Sequence, residues 1–344
     1  MNLRVKASLI LAILSVSTMA SAGAPGNQLV IPTGEPLLAP LTEGVWSFGI
    51  EGLYMQQDDN FEYATTGVNT PVTKNESVGN DWDWGGEADL TYLFPNHSSD
   101  IRLAYTYLSL NSDDAVSSVL GDVNSFFSAP ATINANNGEA KNEETLNQVD
   151  LVLGQWMSVG HRVALHPFIG LRYANLDAEN EATFSGSGTV PPDSTGLIET
   201  DKNTSDLEGV GPRAGIDTTV HLGCGFSVVG TMAGSLIIGD LDSKITYSNY
   251  DPATSLATAN FTYKPDNYIA VVPELDAQLG LNYEHAMDPA TTFDIGAGYQ
   301  IVNYFGAEDL DFANIADAFH PNTVNDLTSF NYQGFYVRFQ LNVA

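Results

Sequence analysis

The stretch from Ile269 to Tyr283, IAVVPELDAQLGLNY, sets Ile269, Val271, Pro273, Leu275, Ala277, Leu279, Leu281 and Tyr283 at every second position. From Glu274 to Asn282 the positions between them are Glu274, Asp276, Gln278, Gly280 and Asn282. Successive side chains of a strand point to opposite faces, so one face here suits hydrocarbon and the other suits water. A single strand of this kind also fits a soluble sandwich, which would bury the same apolar faces against each other. The pattern recurs along the chain, behind a secretion-type N-terminus, with connections that alternate short and long. Together these features predict an all-β fold: a transmembrane antiparallel β-barrel with short periplasmic turns and long acidic external loops.

Ten segments carry the alternation, and twelve strands result if Gln28 to Leu41 or part of a loop joins the sheet. The first, Val45 to Met55, opposes Trp46, Phe48, Ile50 and Tyr54 to Ser47 and Glu51. The last opposes Phe335, Val337, Phe339, Leu341 and Val343 to Arg338, Gln340 and Asn342. Short turns are read at 95–100, 159–161, 223–225 and 284–290. Long polar loops are read at 111–144, 177–206, 247–260 and 306–328. Aromatic residues gather near strand ends, as interfacial girdles require: Trp46, Tyr54, Tyr92, Phe94, Tyr107, Tyr173, Tyr283 and Tyr299.

The N-terminus has Arg4 and Lys6, an apolar run from Ala7 to Val16, and the small-residue site Ala20-Ser21-Ala22. That predicts a signal peptide over 1–22. A periplasmic segment over 23–43 and the barrel over 44–344 follow. The expected location is the cell outer membrane. Twelve basic residues face 42 acidic ones, a formal charge of −30, which disfavours nucleic-acid binding. The segment Thr218 to Gly239 is apolar enough to suggest a helix, but Gly223, Gly225, Gly230, Gly234 and Gly239 suit a hairpin better.

Several stretches resemble the Legionella-type outer membrane protein family, whose founding members are called major outer membrane proteins. They are Trp82-Asp83-Trp84-Gly85 through Leu90-Thr91-Tyr92-Leu93-Phe94-Pro95, Asp100 to Tyr107, and Val149-Asp150-Leu151 with Gly154-Gln155. Phe168 to Ala174, Gly209-Val210-Gly211-Pro212, Leu222 to Phe226 and Phe330 to Gly334 continue the match. The resemblance implies an outer-membrane barrel with a porin-like role and names no substrate. The chain departs from the usual barrel pattern in ending Asn342-Val343-Ala344 instead of on an aromatic residue.

The face opposite the greasy one offers Glu51, Asp83, Glu87, Asp89, Asp150, Asp217, Glu274, Asp276 and Asp294 against Arg102, Arg172, Arg213 and Arg338. In a wet lumen this acidic excess favours passive diffusion of small polar or cationic solutes. In a narrow barrel the same charges form a structural network. The alternative function is then a structural or surface-interaction barrel with a largely closed lumen. A barrel of about eight strands is filled by side chains and one of about sixteen is open, so ten lies nearer the filled end.

Outer-membrane lipid, lipopolysaccharide and small solutes or cations are the expected partners. A homo-oligomer is also open, because Cys224, the lone cysteine, lies at a predicted periplasmic turn. It either cross-links neighbouring chains or is simply a small turn residue. No hydrolase elbow, zincin motif or phosphate-binding loop is present. The expectation is a non-enzyme without cofactor or metal.

Overall fold

A computed structural model describes residues 44–57, 61–67, 73–95, 98–118, 122–125, 133–160, 162–188, 195–252, 256–309 and 327–344. The expected signal peptide, the segment 23–43 and most of the loop after Asp309 lie outside the described residues. So do His97, His161 and His320.

The described strands, in chain order, are β1 (Val45–Gln57), β2 (Glu62–Thr66), β3 (Lys74–Ser77), β4 (Trp82–Leu93) and β5 (Ser99–Ser117). Next come β6 (Asn124–Ser125), β7 (Ile133–Gln155), β8 (Met157–Val159), β9 (Val163–Gly188) and β10 (Thr195–Gly223). The chain ends with β11 (Phe226–Asp251), β12 (Leu256–Tyr263), β13 (Tyr268–Asp288), β14 (Thr291–Asp309) and β15 (Leu327–Val343). Ten of them, β1, β4, β5, β7, β9, β10, β11, β13, β14 and β15, pair antiparallel in that order. The first and last also pair, from Trp46↔Val343 to Gln57↔Tyr332, which closes the barrel. The short strands β8 and β12 add to β9 and β11, and β2, β3 and β6 form a separate small sheet.

Closure leaves no sheet edge in lipid, the condition for a spanning β structure. The alternating residues sort as the sequence predicts. Trp46, Phe48, Ile50, Trp84, Leu103, Leu151, Met232, Leu275, Leu279 and Phe335 are all exposed on the outer wall. Aromatic contacts mark the two rims of that greasy belt. Trp46 against Tyr92 and Phe226 against Tyr283 lie at the periplasmic rim, and Tyr54 against Trp84 lies at the other. The turn at Cys224 is tight: Cys224 adopts a φ of 55° between Gly223 and Gly225, both also at positive φ.

The long loops are a correction. Much of what reads as loop in the sequence is strand: β5 runs on to Ser117, β7 begins at Ile133, and β9 and β10 reach Gly188 and back from Thr195. His285 likewise falls within β13 instead of a turn. Strand β10 has 29 residues, whereas a tilted strand spans the hydrocarbon in about 9–11. The surplus stands outside the membrane as a polar collar. Its outer face carries Glu139, Glu143, Asp177, Glu179, Asp206, Glu208, Asp240 and Asp242, all continuing the outward register. Hydrophobic alternation marks only the part of a strand that meets lipid, so the collar is silent in the sequence. Within the collar the small β2–β3–β6 sheet packs on the inward face of β7 and β9. Phe61, Tyr63 and Val78 pack on Ala140, Ala182 and Phe184 from the wall.

Two outcomes follow. Leu275→Arg, on the outer face of β13, should destabilise the folded barrel by about 2–4 kcal/mol in bilayers, measured by denaturant titration in lipid vesicles. Asp201, in the collar and turned inward, has its carboxyl pushed up to about 8 by burial, with the Glu199 charge adding to it. A raised acid costs nothing below the unfolded carboxylate range and increasingly destabilises the fold as pH climbs from there towards about 8. Asp201→Asn should therefore raise thermal stability at neutral pH, by at most about 4 kcal/mol, and have no effect in strong acid.

Candidate functional site

The inward register of the ten wall strands brings their polar positions into one narrow bore. Its contents are layered. At the periplasmic end is a cavity of about 280 Å³, whose lining includes Asp100, Arg102, Trp156, His166, Asp217 and Tyr336. His166 joins two strands there: Nε2 lies 2.8 Å from Asp100 Oδ2, and Nδ1 lies 2.8 Å from Asp217 Oδ2. A neutral imidazole donates from one nitrogen only, so serving both carboxylates requires the charged ring. Trp156 stacks on it at 4.4 Å between centroids. Arg102 approaches Asp217 at 3.6 Å and lies over the Phe168 ring.

A second group surrounds Arg338. It bonds Asp89 and lies 3.4 Å from Glu51, while Gln278 Nε2 donates to Glu51 at 3.0 Å. Glu87 accepts from Thr106 Oγ1 at 2.8 Å.

The third group is the most buried. Arg172 and Arg213 share Asp150, Glu274 and Asp276: Arg172 Nη2 is 2.6 Å from Asp150 and Nη1 is 2.8 Å from Glu274. Arg213 Nη2 is 2.5 Å from Asp276 and Nη1 is 3.4 Å from Glu274. Ser235 donates to Glu274, and Tyr304 donates to Gln148 beside the cluster. These are charge-assisted, partly bidentate contacts among groups with little access to water.

Above the ion pairs the bore is apolar. Leu53, Met55, Leu108, Leu146, Leu207, Ile237, Val272, Val302, Tyr304 and Phe330 form one cluster, each no more than 2 % exposed. Its members come from β1, β5, β7, β10, β11, β13, β14 and β15, so the cluster crosses the lumen from wall to wall. Beyond it lies a further polar tier, with Gln57 bonding Glu144 and Asn142 donating to Gln57 at 2.7 Å.

Of the lumen charges expected from sequence, Glu51, Asp89, Arg102, Asp150, Arg172, Arg213, Asp217, Glu274, Asp276 and Arg338 meet in ion pairs. Among the described residues Glu87, Asp83 and Asp294 do not. Asp83 accepts from the Asn111 backbone N–H at the outer end of β4, and Asp294 accepts from Asn282 and Asn342. The sequence places Asp100 in the turn 95–100, yet it is the first inward residue of β5 and one of the His166 partners. It also missed the apolar layer. The available signal was a local loss of alternation, in Leu236-Ile237-Ile238, Val271-Val272 and Ile301-Val302. Among the described residues no group of three or more His, Cys, Asp or Glu is arranged to hold a metal ion. Cys224 is exposed.

A family model described as Legionella pneumophila major outer membrane protein precursor matches residues 38–343. No curated protein matches the chain. Among solved structures, the outer membrane protease OmpT from Escherichia coli is similar at 13% identity and TM-score 0.39, covering 89% of this chain and 98% of that one. The TodX deltaS2S3 mutant monoaromatic hydrocarbon channel is similar at 8% identity and TM-score 0.31, with 93% and 95% covered. A Pseudomonas aeruginosa FadL homologue gives 8% identity and TM-score 0.28, with 92% and 95% covered. At scores of this size the likeness is too loose to carry a residue role across.

Removing one cation from the densest cluster should expose its importance. Arg172→Ala leaves three acids around Arg213 alone and should cost about 3–5 kcal/mol, read as a lowered midpoint for the heat-induced gel shift from folded to unfolded barrel.

Proposed function

Because the chain belongs to the Legionella major outer membrane protein family, and is an outer-membrane β-barrel, we propose that it serves as a closed-lumen barrel presenting a rigid acidic collar at the cell surface. The observation that carries this reading is the wall-to-wall apolar layer, with Leu53, Tyr304 and Phe330 almost wholly buried inside the barrel. An ion entering that layer loses its hydration and meets mostly hydrocarbon, with the Tyr304 hydroxyl already bonded to Gln148, so the layer opposes steady permeation. The ion pairs beneath it act as cross-braces between β7, β9, β10 and β13.

The collar supplies the outward activity. Its acidic outer face lies directly above the lipid belt, at the level of lipopolysaccharide phosphates. Hard divalent cations held by carboxylate and phosphate oxygens would join the two. The barrel is non-catalytic in this reading. Among the described residues, the constellation that most resembles an acid–base relay, Asp100–His166–Asp217, has both imidazole nitrogens occupied by carboxylates, which leaves no nitrogen to take a proton from a nucleophile.

Porin-like passage of small polar or cationic solutes is the second reading. The periplasmic cavity and the acidic excess around it favour it, since they would concentrate cations at one mouth of the bore.

Planar-bilayer recording with purified barrel separates the two. The wild type should give no steady conductance, and Phe330→Ala with Tyr332→Ala should open a small cation-preferring one. Steady conductance of the wild type would replace the closed-lumen reading with the porin-like one.

A further inference from the structure

The periplasmic cavity has one wall that the ion-pair networks leave uncompensated. Glu284 on β13 and Asp294 on β14 are register partners, directly opposite each other on the inward face, and both line the cavity. Like charges placed directly across a strand pair repel. Every other acid of the cavity has a cation: Asp217 has Arg102 and His166, and Asp100 has His166. Arg338, the register partner of Gly296, also lines the cavity and attracts Asp294 at longer range, but its ion pairs go to Glu51 and Asp89. Among the described residues no side-chain hydrogen bond or ion pair reaches Glu284. Asp294 receives only amide donors, from Asn282 at 3.4 Å and Asn342 at 2.7 Å. Those amides orient one carboxylate without neutralising either.

Two buried polar atoms of the same cavity also lack partners. Tyr336, 3 % exposed, lines it and its hydroxyl makes no hydrogen bond; Asp100, 1 % exposed, uses Oδ2 for His166 while Oδ1 is unmatched. Buried polar groups left unpaired are costly, so a cavity holding several is shaped for something polar. Space for it comes from the lumen-facing Gly296, which also lines the cavity. A Cβ there would stand 3.2 Å from Asn282 Oδ1 and 3.4 Å from the Leu281 carbonyl oxygen.

We infer that the periplasmic mouth is a binding site for a small organic cation bearing a primary ammonium group. The ammonium sits between Glu284 and Asp294, its three N–H donors facing carboxylate and amide oxygens. A polar tail reaches towards the Tyr336 hydroxyl. A compact ammonium, a point charge with three donors, is the smallest group able to serve two carboxylates on paired strands. This goes beyond the closed-lumen reading and does not depend on it, since the cavity opens below the apolar layer.

The probe is putrescine, titrated calorimetrically at low salt into full-length folded barrel in detergent micelles. Succinate and butanediol, of the same chain length, serve as controls. Saturable binding of putrescine alone is expected. Glu284→Gln with Asp294→Asn should weaken it at least about tenfold. Gly296→Leu, which fills the cavity without changing charge, should weaken it similarly. The heat-induced gel shift verifies that each variant is folded. Absence of saturable binding, equal binding of butanediol, or affinity unchanged in either folded variant overturns the assignment. Displacement of putrescine by sodium ions as effectively as by a second diamine would also overturn it, reducing the wall to an ordinary counterion surface.

Discussion

Closure of the sheet is the constraint on which everything else depends. In hydrocarbon no water is available to satisfy a backbone N–H or carbonyl, so each must find a partner strand. The pairing of β1 with β15 supplies the last set of partners and turns an open sheet into a tube. Once the tube is closed with ten strands, its bore is narrow, and the inward side chains must fill it or line a thin channel. The layered interior is the consequence: cavity, ion pairs, apolar layer and polar tier succeed one another along the bore.

The charges inside that bore need one another. Removing an Arg or Asp from water is costly, and mutual attraction offsets the cost only where geometry is good and the remaining donors are met. Arg172 and Arg213 achieve this by sharing three acids drawn from two other strands. The network therefore records which strands are neighbours across the bore as well as along the wall. Such cross-bore pairs favour the assembled barrel over partly inserted strands, whose charges would lack partners. At the periplasmic mouth the pattern breaks: among the described residues Glu284 and Asp294 stand opposite each other without an ion pair, where a solvent-reached cavity begins.

The collar gives the barrel a second identity outside the membrane. There the strands keep their pairing but lose the greasy outer face, and both sides become polar except where the small β2–β3–β6 sheet sits. That sheet supplies Phe61 and Tyr63 to a satellite core with Phe184. The apolar layer thus lies at membrane height, and the small sheet packs on the inward face of β7 and β9 above it.

Fold class, strand phase and the lipid-facing residues were legible in the sequence, because lipid contact imposes a period of two that survives in Ile269 to Tyr283 and its counterparts. The sign of the inward face was legible for the same reason: Arg172 and Glu274 occupy the opposite phase from Leu171 and Leu275. The partners were not. Nothing in the linear order tells Arg172 to meet Glu274 rather than Asp89, because cross-bore contacts depend on strand stagger and barrel diameter. The strand extensions beyond the membrane were hidden too, since a strand largely polar on both faces has no hydrophobic alternation to read. Whether the lumen is open was left to the tertiary structure. It is a matter of packing volume: Leu53, Tyr304 and Phe330 come from distant strands and share one buried cluster only because a ten-strand circumference brings them to one level.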